Sequence, residues 1–199
     1  IRTIWAGVLC LCPVLALQAG WGDLQEQLRR MVADKKAQVG IAVIVDGRDT
    51  LTVNNDVRYR MMSVFKFHQA LAVADACGRR GVSFDTLVYI RPDDLRPDTY
   101  SPLRDKYPEG NLFLSVGELL KYTLHLSDNN ACDILFRVVG GPAATDEYLR
   151  SMGLRDFAIE ATEDDMHRDL ADCYRNWTTP LEAVRLLEWL VSGKAAKGA

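Results

Sequence analysis

The sequence has few residues of the kinds that bind zinc or follow a nucleic acid. Histidine occurs three times in 199 residues, at scattered positions, and there is no Cys-x-x-Cys pair. A zinc site needs closely spaced nitrogen and sulfur ligands, so this scatter argues against one. The 24 lysines and arginines are interspersed with 27 acidic residues, for a formal net charge of -3, and they form no basic stripe. We therefore expect no metal, no other cofactor and no nucleic-acid partner.

Only the N-terminus carries a long apolar run, from Trp5 to Leu17, and it stands apart from the rest of the chain. Arg2 is the only charge before Asp23, and small residues follow the run around Ala19. A membrane-spanning helix needs about 20 apolar residues, so the shorter run favours a signal peptide over residues 1–19. A single membrane anchor is the alternative. The signal peptide predicts a periplasmic or secreted protein without stable membrane association.

Cysteine is also sparse, and its number is odd once a signal peptide is removed. Two of the five cysteines lie in residues 1–19, which leaves Cys77, Cys132 and Cys173. In an oxidising compartment one pair could form a disulfide and leave one thiol. Bridging needs Cα atoms within about 7 Å, so the sequence leaves the choice of pair open.

Strand signals are confined to the first quarter of the chain. A helical pattern is followed by the apolar run Val39 to Val45, the turn signal Asp46-Gly47 and a second short strand, Leu51 to Val53. We predict a helix and a β-hairpin over residues 20–56. A strand apolar on both faces belongs inside a larger sheet, yet this one has a single predicted neighbour. The sheet is therefore expected to be incomplete.

From Ser63 to Val191 the pattern is almost wholly helical, and no strand is predicted. Apolar periodicity and Pro or Gly at helix ends indicate five helices: Phe65 to Gly78, Val116 to Leu126, Asn130 to Val139, Ala143 to Met152 and Pro180 to Leu190. The polar stretches 91–108 and 160–172 are predicted to be loops. The chain is thus predicted to be α+β, with a helical domain over residues 57–191, an incomplete sheet domain before it, and a truncated tail over residues 192–199.

Ser63 and Lys66 place a hydroxyl and an amine one helical turn apart on the same face. A desolvated lysine can accept the serine proton, and the N-terminus of the helix offers N–H groups to an oxyanion. Alone the pattern is weak, because about one Ser-x-x-Lys is expected by chance in a chain of this size. Taken alone, it favours Ser63 as an ordinary N-cap.

Two further polar groups follow in order along the chain. The triplet Ser-Asp-Asn at 127–129 lies between two predicted helices, where it could simply cap the second. Glu163 lies in an acidic stretch that could simply be a solvated loop. Ser-x-x-Lys opening a helix, then Ser-Asp-Asn, then a loop glutamate is the arrangement of class A β-lactamases.

Neighbouring residues extend this resemblance. Ser127 to Pro142 is similar to the family's sequence through and beyond the triplet, and Met152-Gly153 falls where the family has the same pair. Tyr100-Ser101-Pro102 is similar to the family's substrate-contacting tyrosine at the mouth of the cleft. The chain therefore resembles a secreted class A serine β-lactamase from Asp23 to Val191. The resemblance implies the multidomain β-lactamase/transpeptidase fold, a small-molecule β-lactam as substrate, and a monomer.

The resemblance also implies a role for each matching residue. Ser63 would be the nucleophile and Lys66 its buried amine partner, while Ser127 would pass a proton to the departing lactam nitrogen. Asn129 would bind the side-chain amide of the substrate. Glu163 would activate the water that hydrolyses the acyl-enzyme, and either Lys66 or Glu163 could be the base for acylation.

The omega loop, expected over about 158–176, departs from the family's pattern at three positions. The family usually has Asn four residues after the loop glutamate, where this chain has His167. Either His167 would contact the water or substrate instead, or the water is held by other residues. The Arg and Asp that commonly pair at the neck of the loop are replaced by Ala161 and Asn176. These replacements imply a differently closed, wider loop, similar to a cephalosporinase-like, extended-spectrum branch.

No Lys-Thr-Gly or Lys-Ser-Gly follows the omega loop. In the family this motif lies on a later strand, contacts the substrate carboxylate and supplies the second oxyanion N–H. Loss of one oxyanion donor costs about 10² to 10³ in rate. The chain thus resembles a C-terminally truncated enzyme, which implies weak activity or none.

Other functions share parts of the pattern. A penicillin-binding DD-peptidase has Ser-x-x-Lys and Ser-x-Asn but no deacylating glutamate, so Glu163 argues against it, and the omega-loop context argues against a serine glutaminase of related fold. A non-catalytic β-lactam sensor would acylate and stay acylated, and an inactive fragment would bind nothing. The rate of deacylation distinguishes these alternatives.

Overall fold

The computed structural model describes the backbone of residues 12–193 and the side chains of residues 20–193. Most of the predicted signal peptide and residues 194–199 of the predicted tail lie outside these ranges. In the part that is described, no helix is both long enough and apolar enough to cross a membrane.

The described chain folds into helices, short strands and three 3₁₀ turns. The α-helices are α1 (Cys12–Ala33), α2 (Phe65–Arg80), α3 (Pro102–Lys106), α4 (Val116–His125), α5 (Asn129–Val139), α6 (Gly141–Ser151), α7 (Glu163–Arg168) and α8 (Pro180–Val191). The strands are β1 (Ile41–Val45), β2 (Asp49–Val53), β3 (Tyr59–Arg60), β4 (Leu87–Ile90), β5 (Leu112–Ser115), β6 (Phe157–Ala158) and β7 (Trp177–Thr178). The 3₁₀ turns are Met62–Val64, Pro92–Asp94 and Leu170–Tyr174.

The first unit is the predicted helix and hairpin. Strands β1 and β2 pair antiparallel, with Ile41 opposite Val53 and Val45 opposite Asp49. Asp46 and Gly47 both have positive φ, 52° and 67°, the conformation that closes a tight hairpin. Helix α1 contacts β2, and α8 contacts β1. Among the described residues β1 pairs with β2 alone, so the incomplete α+β fold is confirmed.

The helical unit is built around α2, which packs against α4, α5 and α6. All five predicted helices are present, and their ends agree with the predictions within a few residues. Phe65 of α2 stacks on Phe136 of α5, with ring centroids 5.8 Å apart and planes 6° apart. Gly140, with φ 102°, ends α5 and precedes α6, as its freedom in the left-handed region favours.

The prediction that residues 63–191 contain no strand is wrong. Strands β4 and β5 form an antiparallel pair, and β7 joins β3 to β6 in a three-stranded sheet. The strands of these pairs lie far apart in sequence, and three of them have only two residues, too few to show an alternating pattern.

The prediction of continuous loops over 91–108 and 160–172 is also wrong in part. Ser101 caps α3 by accepting a hydrogen bond from the N–H of Arg104. Thr162 and Asp165 form a reciprocal capping box at the start of α7. Local caps therefore stabilise one short helix inside each polar stretch, and Glu163 is the first residue of a helix rather than a loop residue.

Candidate active site

Lys66 lies at the centre of the polar cluster. It is the second residue of α2, and its side chain is buried. Its Nζ donates to Asn129 Oδ1 at 2.6 Å and to the carbonyl oxygen of Ser127 at 2.7 Å, and it forms an ion pair with Glu163 Oε1 at 2.9 Å. The contacts with Asn129 and Ser127 are hydrogen bonds, and the contact with Glu163 is one of charge.

The hydroxyls of Ser63 and Ser127 lie slightly farther from the same nitrogen. Lys66 Nζ is 3.3 Å from Ser63 Oγ and 3.2 Å from Ser127 Oγ. Ser63 is exposed and Ser127 is partly exposed, so both hydroxyls are accessible from outside. A proton can therefore pass from one hydroxyl to the other through a single amine.

Backbone strain is found at both serines. Met62, directly before Ser63, has φ 44°, and Ser127 itself has φ 54°. Residues with a Cβ rarely adopt this region, and each such case costs about 1–3 kcal/mol. Strain of this kind is concentrated at functional sites, where the rest of the fold maintains it.

Asp128 fixes the Ser-Asp-Asn triplet in place. It is fully buried and caps α5 by accepting from the N–H of Ala131 at 2.9 Å. Its two oxygens also accept from Ser101 Oγ at 2.9 and 3.1 Å and from the N–H of Leu103 at 2.6 Å. The cap suggested by the sequence is therefore real, and it also ties α5 to the start of α3.

Both ends of the Asn129 amide are engaged. Oδ1 accepts from Lys66, and Nδ2 donates to Thr99 Oγ1 at 2.8 Å. The Asn129 backbone N–H donates to the carbonyl oxygen of Tyr100 at 3.1 Å. The amide oxygen is thereby held toward the lysine.

Glu163 is positioned by a residue that the sequence analysis missed. Asp133 of α5 accepts from the N–H groups of Glu163 and Asp164, both at 2.8 Å. Burial raises the pKa of Asp133 to about 7, although the two N–H donors favour its charged form. Asp133 is four residues after Asn129 and so on the same face of α5, which is the only sequence signal for it.

Asn176 closes the neck of the segment that carries Glu163. Its Oδ1 accepts from the N–H of Glu160 at 2.8 Å and of Ala161 at 2.9 Å. Its Nδ2 donates to the carbonyl oxygen of Ala161 at 2.9 Å. The side chain of Asn176 thus contacts the backbone of Ala161, and these are the two neck positions that departed from the family's pattern. The greater width of the loop stays a prediction.

Tyr100 and His167 lie at the edges of the cluster. Tyr100 is 61% exposed. His167 Nε2 is 3.1 Å from Asp98 Oδ2. His167, Glu163 and Asn129 surround a cavity of about 10 Å³, close to the smallest space that holds one water. Contact of His167 with a water or substrate stays a prediction.

The three cysteines whose side chains are described are free and buried. Cys132, just after Asn129 and Asn130 on α5, donates through its thiol to Gln69 Oε1 at 3.3 Å. The open question of pairing is therefore answered for this structure: Cys77, Cys132 and Cys173 form no disulfide.

A helical unit beside a sheet unit, with the Ser63–Lys66–Ser127 cluster at the start of α2, is the architecture of the β-lactamase/transpeptidase class. Residues 23–199 match the family model described as the β-lactamase enzyme family. A β-lactamase of Bacteroides uniformis is 40% identical over 178 residues, which is 89% of this chain and 60% of that protein. β-Lactamase VEB-1 of Pseudomonas aeruginosa is 36% identical over 166 residues, 83% of this chain and 55% of that protein.

Solved structures agree with the sequence relatives. TLA-3 extended-spectrum β-lactamase has a TM-score of 0.84 and 42% identity, covering 87% of this chain and 64% of its own. A class A β-lactamase from Bacteroides cellulosilyticus has a TM-score of 0.78 and 44% identity, covering 83% and 59%. The chain belongs to the β-lactamase enzyme family, in class A. It spans between 55% and 64% of the length of these four proteins.

Proposed function

We propose that this site hydrolyses β-lactams through an acyl-serine intermediate. The observation that carries the proposal is the position of Lys66 Nζ, within 3.3 Å of Ser63, Ser127, Asn129 and Glu163. One buried amine thus connects a nucleophile, a proton relay and a general base.

Acylation begins when Ser63 Oγ attacks the lactam carbonyl carbon and its proton moves to Lys66 Nζ. The lactam C–N bond then breaks, and Ser127 gives its hydroxyl proton to the departing nitrogen while Lys66 returns a proton to Ser127. Lys66 must be neutral at the start, so its own proton passes first to Glu163, 2.9 Å away. Lys66 contacts Ser63 directly and Glu163 acts through Lys66, so the two candidate bases work in series.

Deacylation needs a water and a base on the far side of the ester. Glu163 first returns its proton to Lys66, 2.9 Å away. As a carboxylate at the border of the small cavity described above, it would then take a proton from a water as the oxygen attacks the ester carbonyl carbon. The ester C–O bond breaks, and Ser63 Oγ recovers a proton through Lys66. The site is then ready for another turnover.

Cephalosporins are the substrates that we propose within this class. Extended-spectrum β-lactamase PER-1 of Pseudomonas aeruginosa is 36% identical over 83% of this chain and 54% of that protein, and TLA-3 is also described as extended-spectrum. The neck closed by Asn176 is consistent with that branch.

The test follows a chromogenic cephalosporin with purified protein that carries this sequence, together with intact-mass spectrometry. We expect slow turnover that Ser63→Ala abolishes, and a lasting acyl adduct on Ser63 in Glu163→Gln. If the acyl adduct on wild-type Ser63 is never hydrolysed, the protein is a β-lactam sensor and not a hydrolase. Folded wild-type protein with neither adduct nor turnover would overturn the proposal.

We also propose that the protein is exported and acts as a monomer. Export is supported by the apolar run Trp5 to Leu17 and the small residues after it, and a monomer by a site drawn from one chain. N-terminal sequencing of cell fractions should find a periplasmic or secreted form that begins near Gly20, and light scattering should give one chain per particle. A cytoplasmic form that keeps residues 1–19 would contradict export.

A further inference from the structure

The segment of residues 96–101, here called the 96–101 loop, contacts the element that carries Asn129. Thr99 Oγ1 accepts from Asn129 Nδ2 at 2.8 Å, and the carbonyl oxygen of Tyr100 accepts from the Asn129 N–H at 3.1 Å. Both links end on the residue whose amide oxygen accepts from Lys66. The shape of the loop therefore sets the orientation of Asn129.

The same loop also contacts α7, which carries Glu163. Asp98 Oδ2 is 3.1 Å from His167 Nε2, and Arg96 Nη2 is 3.5 Å from Asp164 Oδ2. These links lie on the protein surface and each is weak alone. They restrain α7 only if the loop itself is rigid.

Arg104 of α3 supplies that rigidity. Its Nη1 donates to three carbonyl oxygens of the loop, those of Arg96 at 2.9 Å, Pro97 at 2.7 Å and Thr99 at 2.7 Å. Its Nε and Nη2 donate to Asp105 Oδ1 at 3.2 and 2.7 Å. The loop contains no α-helix or strand, so a planar guanidinium with donors in a fixed fork replaces regular backbone pairing.

We propose that Arg104 is a positioning residue for both chemical steps, because it holds the 96–101 loop in the shape that orients Asn129 and restrains α7. This inference rests on the proposed function. Arg104 touches no reacting group: it acts through Thr99 on the acylation side and through Asp98 on the deacylation side. A mutation far from the reacting atoms that displaces a catalytic group by about 1 Å can lower the rate as much as 10²-fold.

The central variant is Arg104→Ala, which should slow acylation and deacylation by about tenfold each, within the range for misplaced catalytic groups. Arg104→Lys keeps a cation with three donors and should recover much of both rates. Asp105→Asn is the matched control, because it changes the exposed partner of Arg104 and leaves the three carbonyl contacts intact. It should stay within about twofold of wild type.

Two single-link variants separate the two arms. Thr99→Val removes the acceptor of Asn129 Nδ2 and should lower the acylation rate more than the deacylation rate. Asp98→Asn weakens the link to His167 and should lower deacylation more than acylation. A loss of overall stability would lower the amount of active protein without producing this split.

Hydrogen exchange provides a readout that needs no activity. Arg104→Ala should speed amide exchange in residues 96–101 and 163–168 and leave α8 unchanged. Normal exchange and normal rates in Arg104→Ala, or a rate loss that only follows the loss of folded protein, would overturn the inference. If wild-type protein shows neither an acyl adduct nor turnover, the proposed function fails, and the role of Arg104 in hydrolysis fails with it whatever the exchange pattern.

Discussion

Lys66 and Glu163 form an ion pair of 2.9 Å at the centre of the site, with side chains only 2% and 11% exposed. Removing two charges from water costs several kcal/mol per ion, and their mutual attraction repays this only with further hydrogen bonds. Lys66 donates such bonds to the carbonyl oxygen of Ser127 and to Asn129 Oδ1. A pair this costly is better explained by chemistry than by stability.

Breaking this pair from one side should destabilise the fold. Lys66→Met leaves the Glu163 carboxylate buried without its cation, and we expect the free energy of unfolding to fall by about 3 kcal/mol. The double variant Lys66→Met/Glu163→Gln should recover part of the loss, because no uncompensated charge remains. Urea denaturation of wild type, Lys66→Met, Glu163→Gln and the double variant measures the coupling energy between the two side chains.

The matched control is the exposed pair of Arg30 and Glu26 on α1. Arg30→Met should change the free energy of unfolding by no more than about 0.5 kcal/mol. Two results would refute the buried-charge explanation. One is an equal loss of stability in Lys66→Met and Arg30→Met, and the other is a double variant no more stable than Lys66→Met.

Asn176 should be essential to the neck of the omega segment. Asn176→Ala removes three hydrogen bonds to the backbone of Glu160 and Ala161 and leaves buried groups unpaired, so we expect a loss of about 2–3 kcal/mol in the free energy of unfolding. A protease should cleave Asn176→Ala within residues 160–176 faster than it cleaves wild type there. Gln27→Ala, at an exposed position of α1, is the control, and similar losses in both variants would contradict this role for Asn176.

Much of the fold is predictable because its signals are local. Helix α8 is predicted from Pro180 to Leu190 and observed from Pro180 to Val191, since a Pro at the first turn and an apolar stripe both lie within one segment. The pair β4 and β5 was missed although Leu87-Val88-Tyr89-Ile90 is rich in strand-forming residues. Its partner, Leu112–Ser115, comes only after a long polar stretch, so the pairing depends on tertiary contacts.

The site residues also fall into two groups, those that the sequence indicates and those that only the tertiary structure reveals. Ser63 and Lys66 are spaced one helical turn apart, which is a weak signal alone, and they are predicted together with Ser127 and Glu163 because of a family resemblance. Asp133, Thr99 and Arg104 carry no such signal. Their roles arise from hydrogen bonds to groups more than four residues away, which a linear pattern does not contain.

The three buried thiols should be unreactive in the native protein. Burial raises the pKa of Cys77, and that of Cys132 well above its ordinary value, and the thiolate is the reactive form. We expect iodoacetamide at pH 8 to leave Cys77, Cys132 and Cys173 unmodified until urea is added, as mapped by peptide mass spectrometry. Native labelling of Cys132 at the rate of a free thiol would show that α5 opens.

Asp133 should make stability depend on pH. Its pKa rises from 3.8 to about 7 in the folded protein, so between these values the unfolded chain has released a proton that the folded chain keeps. Stability should therefore fall as pH rises from about 4 to about 7 and be independent of this group above that. The pKa change corresponds to on the order of 4 kcal/mol.

Asp133→Asn removes this titration and keeps one acceptor for the N–H groups of Glu163 and Asp164. The variant should lose about 1 kcal/mol from the missing hydrogen bond at low pH, gain on wild type as pH rises from about 4 to about 7, and keep a constant difference above that. Urea midpoints of both proteins between pH 4.5 and 8.5 give the two curves. Parallel curves would show that Asp133 keeps an ordinary pKa, because its two N–H donors at 2.8 Å then outweigh the cost of burying its charge.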